Sequence, residues 1–85
     1  GAQQAYELTS EVTLLGRGTD CDLRLVDNGV SRHHAEIRLE GNEAILVDLN
    51  STNGTFVNGQ QVQRARLVDG SRISLGRTTM TFRRD

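Results

Sequence analysis

Most of the residues able to do chemistry fall in three short stretches, "GRG" at 16–18, "SRHH" at 31–34 and "STNG" at 51–54. Together they offer the Arg17 and Arg32 guanidinium groups, the hydroxyls of Ser31, Ser51 and Thr52, the Asn53 amide, and backbone N–H groups beside Gly16, Gly18 and Gly54. Many donors around a planar cationic fork suit a tetrahedral dianion such as phosphate, whose oxygens each accept several hydrogen bonds. No general base is paired with a nucleophile. Asp48, His34 and a nearby serine could be imagined as a hydrolytic triad, but there is no nucleophile elbow and no chain length for a deep cleft. No catalytic residue and no enzyme are therefore expected.

Each stretch alone has a plainer explanation. Ser31 could simply cap a turn, and Arg32 reads equally as a solvated cation or as a second positive group beside a bound ligand. Arg17 is different, because a glycine directly before it at a strand end favours a loop held for close approach. His33 and His34, with Cys21, raise the question of metal. Adjacent residues on a strand point to opposite faces, so His34 is read as structural and His33 as exposed. No metal and no cofactor are expected.

The elements that must position these loops are strands. In "HAEIRLE" (34–40) Ala35, Ile37 and Leu39 alternate with His34, Glu36, Arg38 and Glu40, the pattern of a half-buried antiparallel strand. "AILVDL" (44–49) follows after Gly41 and Asn42, which predicts a hairpin. "VTLLGR" (12–17), "LRL" (23–25), "TFV" (55–57), "RISL" (72–75) and "TMTF" (79–82) are further short strands, and residues 5–9 are assigned to a strand as well, although Ala2, Ala5 and Leu8 also fit a helical spacing. Turn residues separate them, including Asn58-Gly59, a hairpin turn. Frequent short strands without a helix predict an all-β sandwich of two antiparallel sheets, in which loops gather at the ends.

Composition narrows the choice. With 85 residues, 35% hydrophobic content and three aromatics (Tyr6, Phe56, Phe82), one domain with a modest aliphatic core is expected over 1–85. Eleven acidic and ten basic residues give a net charge of −1, without the basic excess of a nucleic-acid or membrane-surface binder. All ten cations are arginine, a fork suited to oxyanions. The single Cys21 excludes an internal disulfide and fits a reducing compartment. No apolar run is long enough to span a bilayer as a helix.

The order Gly16-Arg17, then "SRHH", then "DLNSTNGTFVNG" resembles the forkhead-associated (FHA) domain, a phosphothreonine-binding β-sandwich, from about Val12 to Phe82. The resemblance implies that Arg17, Ser31 and Thr52 bind the phosphate. It implies that Asn53 holds the peptide backbone beside it, with Arg32 and Ser51 as further peptide contacts, and that Gly16, His34, Gly54 and Asn58 support the loops. Within the family, "GVSRHHAEI", "DLNSTNGT" and "DGSRISLG" are most similar to the C-terminal FHA domain of actinobacterial FhaA-type adaptors in Ser/Thr kinase signalling. That likeness implies a cytoplasmic module whose partner is a threonine-phosphorylated segment, of the kind found in the pseudokinase region of a lipid-precursor flippase, and which that partner recruits to the inner face of the membrane. In one respect the chain departs from the family. An FHA sandwich begins with one more strand before residues 5–9, so residues 1–4 read as a cleavage scar or the stub of a truncated first strand. The edge so exposed would favour a homodimer, and the alternative function is a phosphate-independent assembly or dimerisation scaffold.

Overall fold

The hairpin read from "HAEIRLE" and "AILVDL" is the centre of the molecule. In a computed structural model, which describes residues 5–84, the strands are β1 (Val12–Gly16), β2 (Leu23–Arg24), β3 (Ala35–Glu40), β4 (Glu43–Asp48), β5 (Thr55–Val57), β6 (Gln60–Val62), β7 (Arg64–Leu67), β8 (Arg72–Leu75) and β9 (Thr78–Thr81). They form a five-stranded sheet in the order β2-β1-β3-β4-β7 and a four-stranded sheet in the order β6-β5-β8-β9. All pairs are antiparallel except β1 with β2. The expected all-β sandwich is present, with one parallel pair added.

Alternation decides which side of each strand is buried. Ala35 and Ile37 from β3, Ala44 and Leu46 from β4, Leu15 from β1 and Leu67 from β7 meet Ile73 and Leu75 from β8 in one core. At about 25 cal/mol per Å² of apolar surface removed from water, these side chains account for most of the drive to fold. The core lies under the strand ends that carry the three polar loops, so those loops start from fixed points.

Two strands were not foreseen and one was misassigned. β6 and β7 carry Gln60, Gln61, Arg64 and Arg66, and each lies at the edge of its sheet. An edge strand buries only part of one face, so the apolar signal of the two strands is reduced to Val62, the small Ala65 and Leu67. The backbone of residues 5–9, assigned to a strand from composition, makes no ladder among the described residues. Only Leu8 there packs against the core, which anchors the segment without pairing it. The reading of residues 1–4 lies outside the described residues.

Asn58 turns the chain between β5 and β6 in the left-handed region, with φ of 51°. It also ties that turn to β8, since its N–H donates to the Arg72 carbonyl at 2.8 Å and its Oδ1 accepts the Arg72 N–H at 2.9 Å. Asn58→Ala should destabilise the domain by about 1–3 kcal/mol, through the lost hydrogen bond and the left-handed backbone a β-carbon disfavours. Asn58→Gly, which removes only the hydrogen bond, should lose less. Equal urea midpoints for both variants and the parent would contradict this account.

Candidate functional site

The first loop leaves β1 at Gly16. A β-carbon there would lie 2.1 Å from the Arg32 carbonyl oxygen, so only glycine lets the loop pass this close to the segment carrying Ser31. Backbone bonds then join the two segments, from Arg17 N–H to Ser31 O and from Gly18 N–H to Arg32 O, both at 3.0 Å. The Arg17 side chain is exposed, yet its Nε donates to the Val30 carbonyl at 3.0 Å. One of its five N–H groups is thereby fixed, while its terminal nitrogens have no hydrogen-bond partner among the described residues.

Ser31 connects the second loop to the third. Its Oγ accepts the Thr52 N–H at 3.0 Å, which leaves the hydroxyl proton to be donated outward. Thr52 and Asn53 are exposed beside it. Asn53 Nδ2 donates to the Gly29 carbonyl at 3.0 Å, so its amide plane is set and its Oδ1 is left to accept an N–H.

His34 is fully buried between the loops. Its Nδ1 accepts the Ser31 N–H at 3.0 Å, and its Nε2 lies 2.9 Å from the Gly54 carbonyl. A backbone N–H can only donate, so Nδ1 carries no proton and Nε2–H donates to Gly54: the neutral ring with one defined tautomer. Gly54 itself has φ of 90°, a conformation that side chains other than glycine avoid.

Beneath the third loop lies Asp48. Its Oδ1 accepts the hydroxyls of Ser51 and Thr55, each at 2.6 Å, and its Oδ2 accepts the Ser51 N–H at 3.2 Å. Ser51 Oγ in turn accepts the Gly54 N–H at 3.0 Å. The Ser51 hydroxyl, expected on the peptide, is thus engaged on both sides inside the loop and acts to close it. Burial by itself raises the Asp48 carboxyl, but the hydrogen bonds from Ser51 and Thr55 outweigh it and hold the group below its ordinary value of 3.8.

Asp27 does the same for the second loop from below. Its carboxylate accepts the Gly29 and Arg77 N–H groups and the Thr78 hydroxyl, and those bonds, that of Thr78 first, lower its pKa. Neither Asp27 nor Asn50, which has φ of 56°, was singled out from the sequence; an Asn or Asp beside a turn was the signal available. The Arg32 side chain is exposed and makes no hydrogen bond among the described residues, while its carbonyl accepts from Gly18 and Cys21. Outside this cluster, on the other flank of the same loops, the ligand atoms of Asp20, Cys21 and His33 lie within 4.8 Å of one another. His33 is exposed and His34 buried as expected, although both precede β3 and alternation along a strand is not what separates them; nor could alternation show that a distant loop brings Asp20 to His33.

The arrangement is a shallow donor cluster: a tethered arginine fork, a serine hydroxyl proton, the exposed Thr52 and an oriented amide. It can hold an anion and the chain attached to it.

Comparison with known proteins agrees with this geometry. A model of the FHA domain matches residues 13–76. The FHA domain-containing protein FhaA of Mycobacterium tuberculosis H37Rv is 48% identical over 83 residues, which cover 98% of this chain and 16% of that protein. The glycogen accumulation regulator GarA of the same organism is 42% identical over 81 residues, covering 95% of this chain and 50% of GarA. The chain therefore spans between a sixth and a half of these relatives. Among solved structures, one from a study of phosphothreonine-dependent FHA domain interactions has a TM-score of 0.95 at 47% identity, covering 100% of this chain and 88% of that one. The FhaA FHA domain complexed with the intracellular domain of Rv3910 has a TM-score of 0.84 at 51% identity, covering 87% and 81%.

The Asp48 network has a measurable consequence. The folded carboxyl ionises more readily than the unfolded one, so its contribution is complete above pH 3.8 and is lost as pH falls through the lower folded value. Asp48→Asn, which cannot accept the Ser51 N–H as the carboxylate does, should cost about 1–3 kcal/mol at neutral pH. It should also flatten the acid limb of the stability profile. An acid limb identical to that of the parent would show that Asp48 does not carry it.

Proposed function

This chain belongs to the FHA domain family, and we propose that it is a phosphothreonine-dependent protein-interaction module, a single domain over residues 1–85 that docks onto partners phosphorylated by Ser/Thr kinases. The observation that carries the proposal is the Ser31 hydroxyl: it accepts the Thr52 N–H while retaining its own proton, beside an arginine fork held at Nε alone. In this reading Arg17, Ser31 and Thr52 bind the phosphate. Asn53 Oδ1 accepts a backbone N–H of the peptide, and Arg32 contributes positive charge at the rim. Gly16, His34, Gly54 and Asn58 support the loops, with Ser51 joining them.

Phosphate supplies about −1.5 to −2 charges at pH 7, and each charge-assisted hydrogen bond contributes about 1.5–3 kcal/mol. Ordering a flexible peptide opposes this, so affinity for an isolated peptide is on the order of micromolar. A threonine γ-methyl in a small apolar niche would favour phosphothreonine over phosphoserine by about 1 kcal/mol. The module binds and does not turn over its ligand. Its place is cytoplasmic, at the inner face of the membrane when the partner is a phosphorylated pseudokinase region of a lipid-precursor flippase. The likeness to an FHA domain seen with another protein's intracellular domain supports a membrane-tethered partner of this kind.

Arg17→Ala should weaken a phosphothreonine peptide by about 2–5 kcal/mol while leaving the thermal midpoint nearly unchanged. Calorimetry that finds equal affinity for parent and variant, or binding that survives dephosphorylation of the peptide, would overturn the proposal.

One observation favours a second reading, assembly with another copy. The outer edge of β9 has no strand partner among the described residues. Beside it lies an open groove of about 1270 Å³, lined by Leu8, Leu25, Leu39, Met80 and Phe82 among others. Unpaired edges next to apolar surface promote strand pairing. Light scattering should then report a dimer that Arg17→Ala does not dissociate; a monomeric mass at high concentration would remove this reading.

A further inference from the structure

On the flank of the phosphate loops, three side chains of different chemistry converge: the Asp20 carboxylate, the Cys21 thiol and the His33 imidazole. Asp20 and His33 are already paired, with Nε2 2.8 Å from Oδ2 and 3.0 Å from Oδ1. The Cys21 thiol donates to the Arg32 carbonyl, with Sγ and O 3.0 Å apart. All three ligand atoms lie within 4.8 Å of one another.

We propose that Asp20, Cys21 and His33 form a binding site for a single zinc-class divalent metal ion, clamping the loop after β1 to the loop before β3. The geometry needs little adjustment. Bond lengths of about 2.0–2.3 Å put tetrahedral zinc ligands about 3.3–3.8 Å apart, so the widest-spaced donors must close by up to about 1.5 Å while the paired Asp20 and His33 atoms, 2.8 Å apart, open slightly. Asp20 and His33 can do this by side-chain rotation, since their side chains are 65% and 52% exposed.

The backbone beneath them is fixed. Gly18 N–H donates to Arg32 O at 3.0 Å, Cys21 N–H to Gly18 O at 3.2 Å, and His34 N–H to Leu15 O at 2.9 Å. The bare α-carbon of Gly16 also lets Cys21 Sγ pack there, since a β-carbon would lie 2.9 Å from it.

Donor chemistry selects the metal. A thiolate, an imidazole and one carboxylate suit zinc, whereas calcium and magnesium take oxygen ligands. On binding, the Cys21 thiol releases its proton to solvent, the Cys21–Arg32 and His33–Asp20 hydrogen bonds break, the ring proton of neutral His33 resides on the nitrogen that does not bind, and the thiolate, the unprotonated ring nitrogen and a carboxylate oxygen bond the ion. The fourth position faces solvent and is open to water.

The site borders the candidate phosphate site without using any of its donors: His33 is two positions from Ser31, and the carbonyl that Cys21 releases belongs to Arg32. It holds whether or not the phosphothreonine reading does.

Cobalt(II) is the probe, since a thiolate ligand gives a charge-transfer band and a tetrahedral site intense d–d bands. Titrating the reduced full chain should produce both bands at one equivalent, and zinc should bleach them. Cys21→Ser should abolish the charge-transfer band, and His33→Ala and Asp20→Asn should each weaken cobalt binding tenfold or more while circular dichroism remains that of the parent. Absence of the band in the parent would overturn the proposal, as would a band whose affinity is unchanged in His33→Ala and Asp20→Asn, because a thiolate acting alone would then hold the metal.

Discussion

A neutral imidazole wedged between two loops fixes the dimensions of this molecule's polar end. His34 has no exposure to solvent, accepts an N–H from the residue that begins its own loop and donates to the carbonyl of Gly54, twenty positions along the chain. Its backbone is equally committed, with the N–H on Leu15 O and the carbonyl accepting from Leu49. One residue thus joins β1, the loop before β3 and the loop after β4. Buried hydrogen bonds of this kind are strong because water does not compete, and expensive to leave half made for the same reason. The separation between Ser31 and Thr52 is set by the width of a ring, and the bond between those two residues follows from it.

The sheets beneath supply rigidity, and the loops supply exposure. Donors held in place before a ligand arrives need little reorganisation to meet an anion, which favours binding. Arg17, Thr52 and Asn53 nonetheless lie in solvent, where water screens each contact. Such a site gains selectivity through the mismatch left when phosphate is missing, and keeps its affinity moderate because no part of it is deeply enclosed.

How much of this could be read from the chain depended on whether the signal was local. The alternation in β3 is a property of one strand seen from one side, and the turn at Asn58-Gly59 a property of adjacent residues; both were legible. The strands β6 and β7 were not, because polar residues on the open face of an edge strand look the same as a loop. Ser51 illustrates a different limit. Composition showed that the loop was rich in hydroxyls, but not that this one would be held between Asp48 and the Gly54 N–H. The meeting of Asp20 with His33, thirteen positions apart, depends on how two loops cross, which no periodicity records.

An acidic protein offering a cradle to a dianion presents an electrostatic difficulty that the loops resolve locally. The net charge is −1, and Asp20 and Asp27 lie in the loops that build the site while Asp48 ends β4 directly beneath the third of them. Each carboxylate, however, already accepts from neighbouring donors: His33 for Asp20, two N–H groups and a hydroxyl for Asp27, two hydroxyls and an N–H for Asp48. Their negative charge is directed into the loop backbone, where it orders the chain. Donors without a partner among the described residues, the terminal nitrogens of Arg17 and the Ser31 hydroxyl proton among them, are left for an incoming anion. Charge at a few ångströms outweighs net charge spread over the surface, because screening removes the distant contributions first. The same carboxylates that make the chain acidic therefore order the loops from which Arg17 and Ser31 are presented.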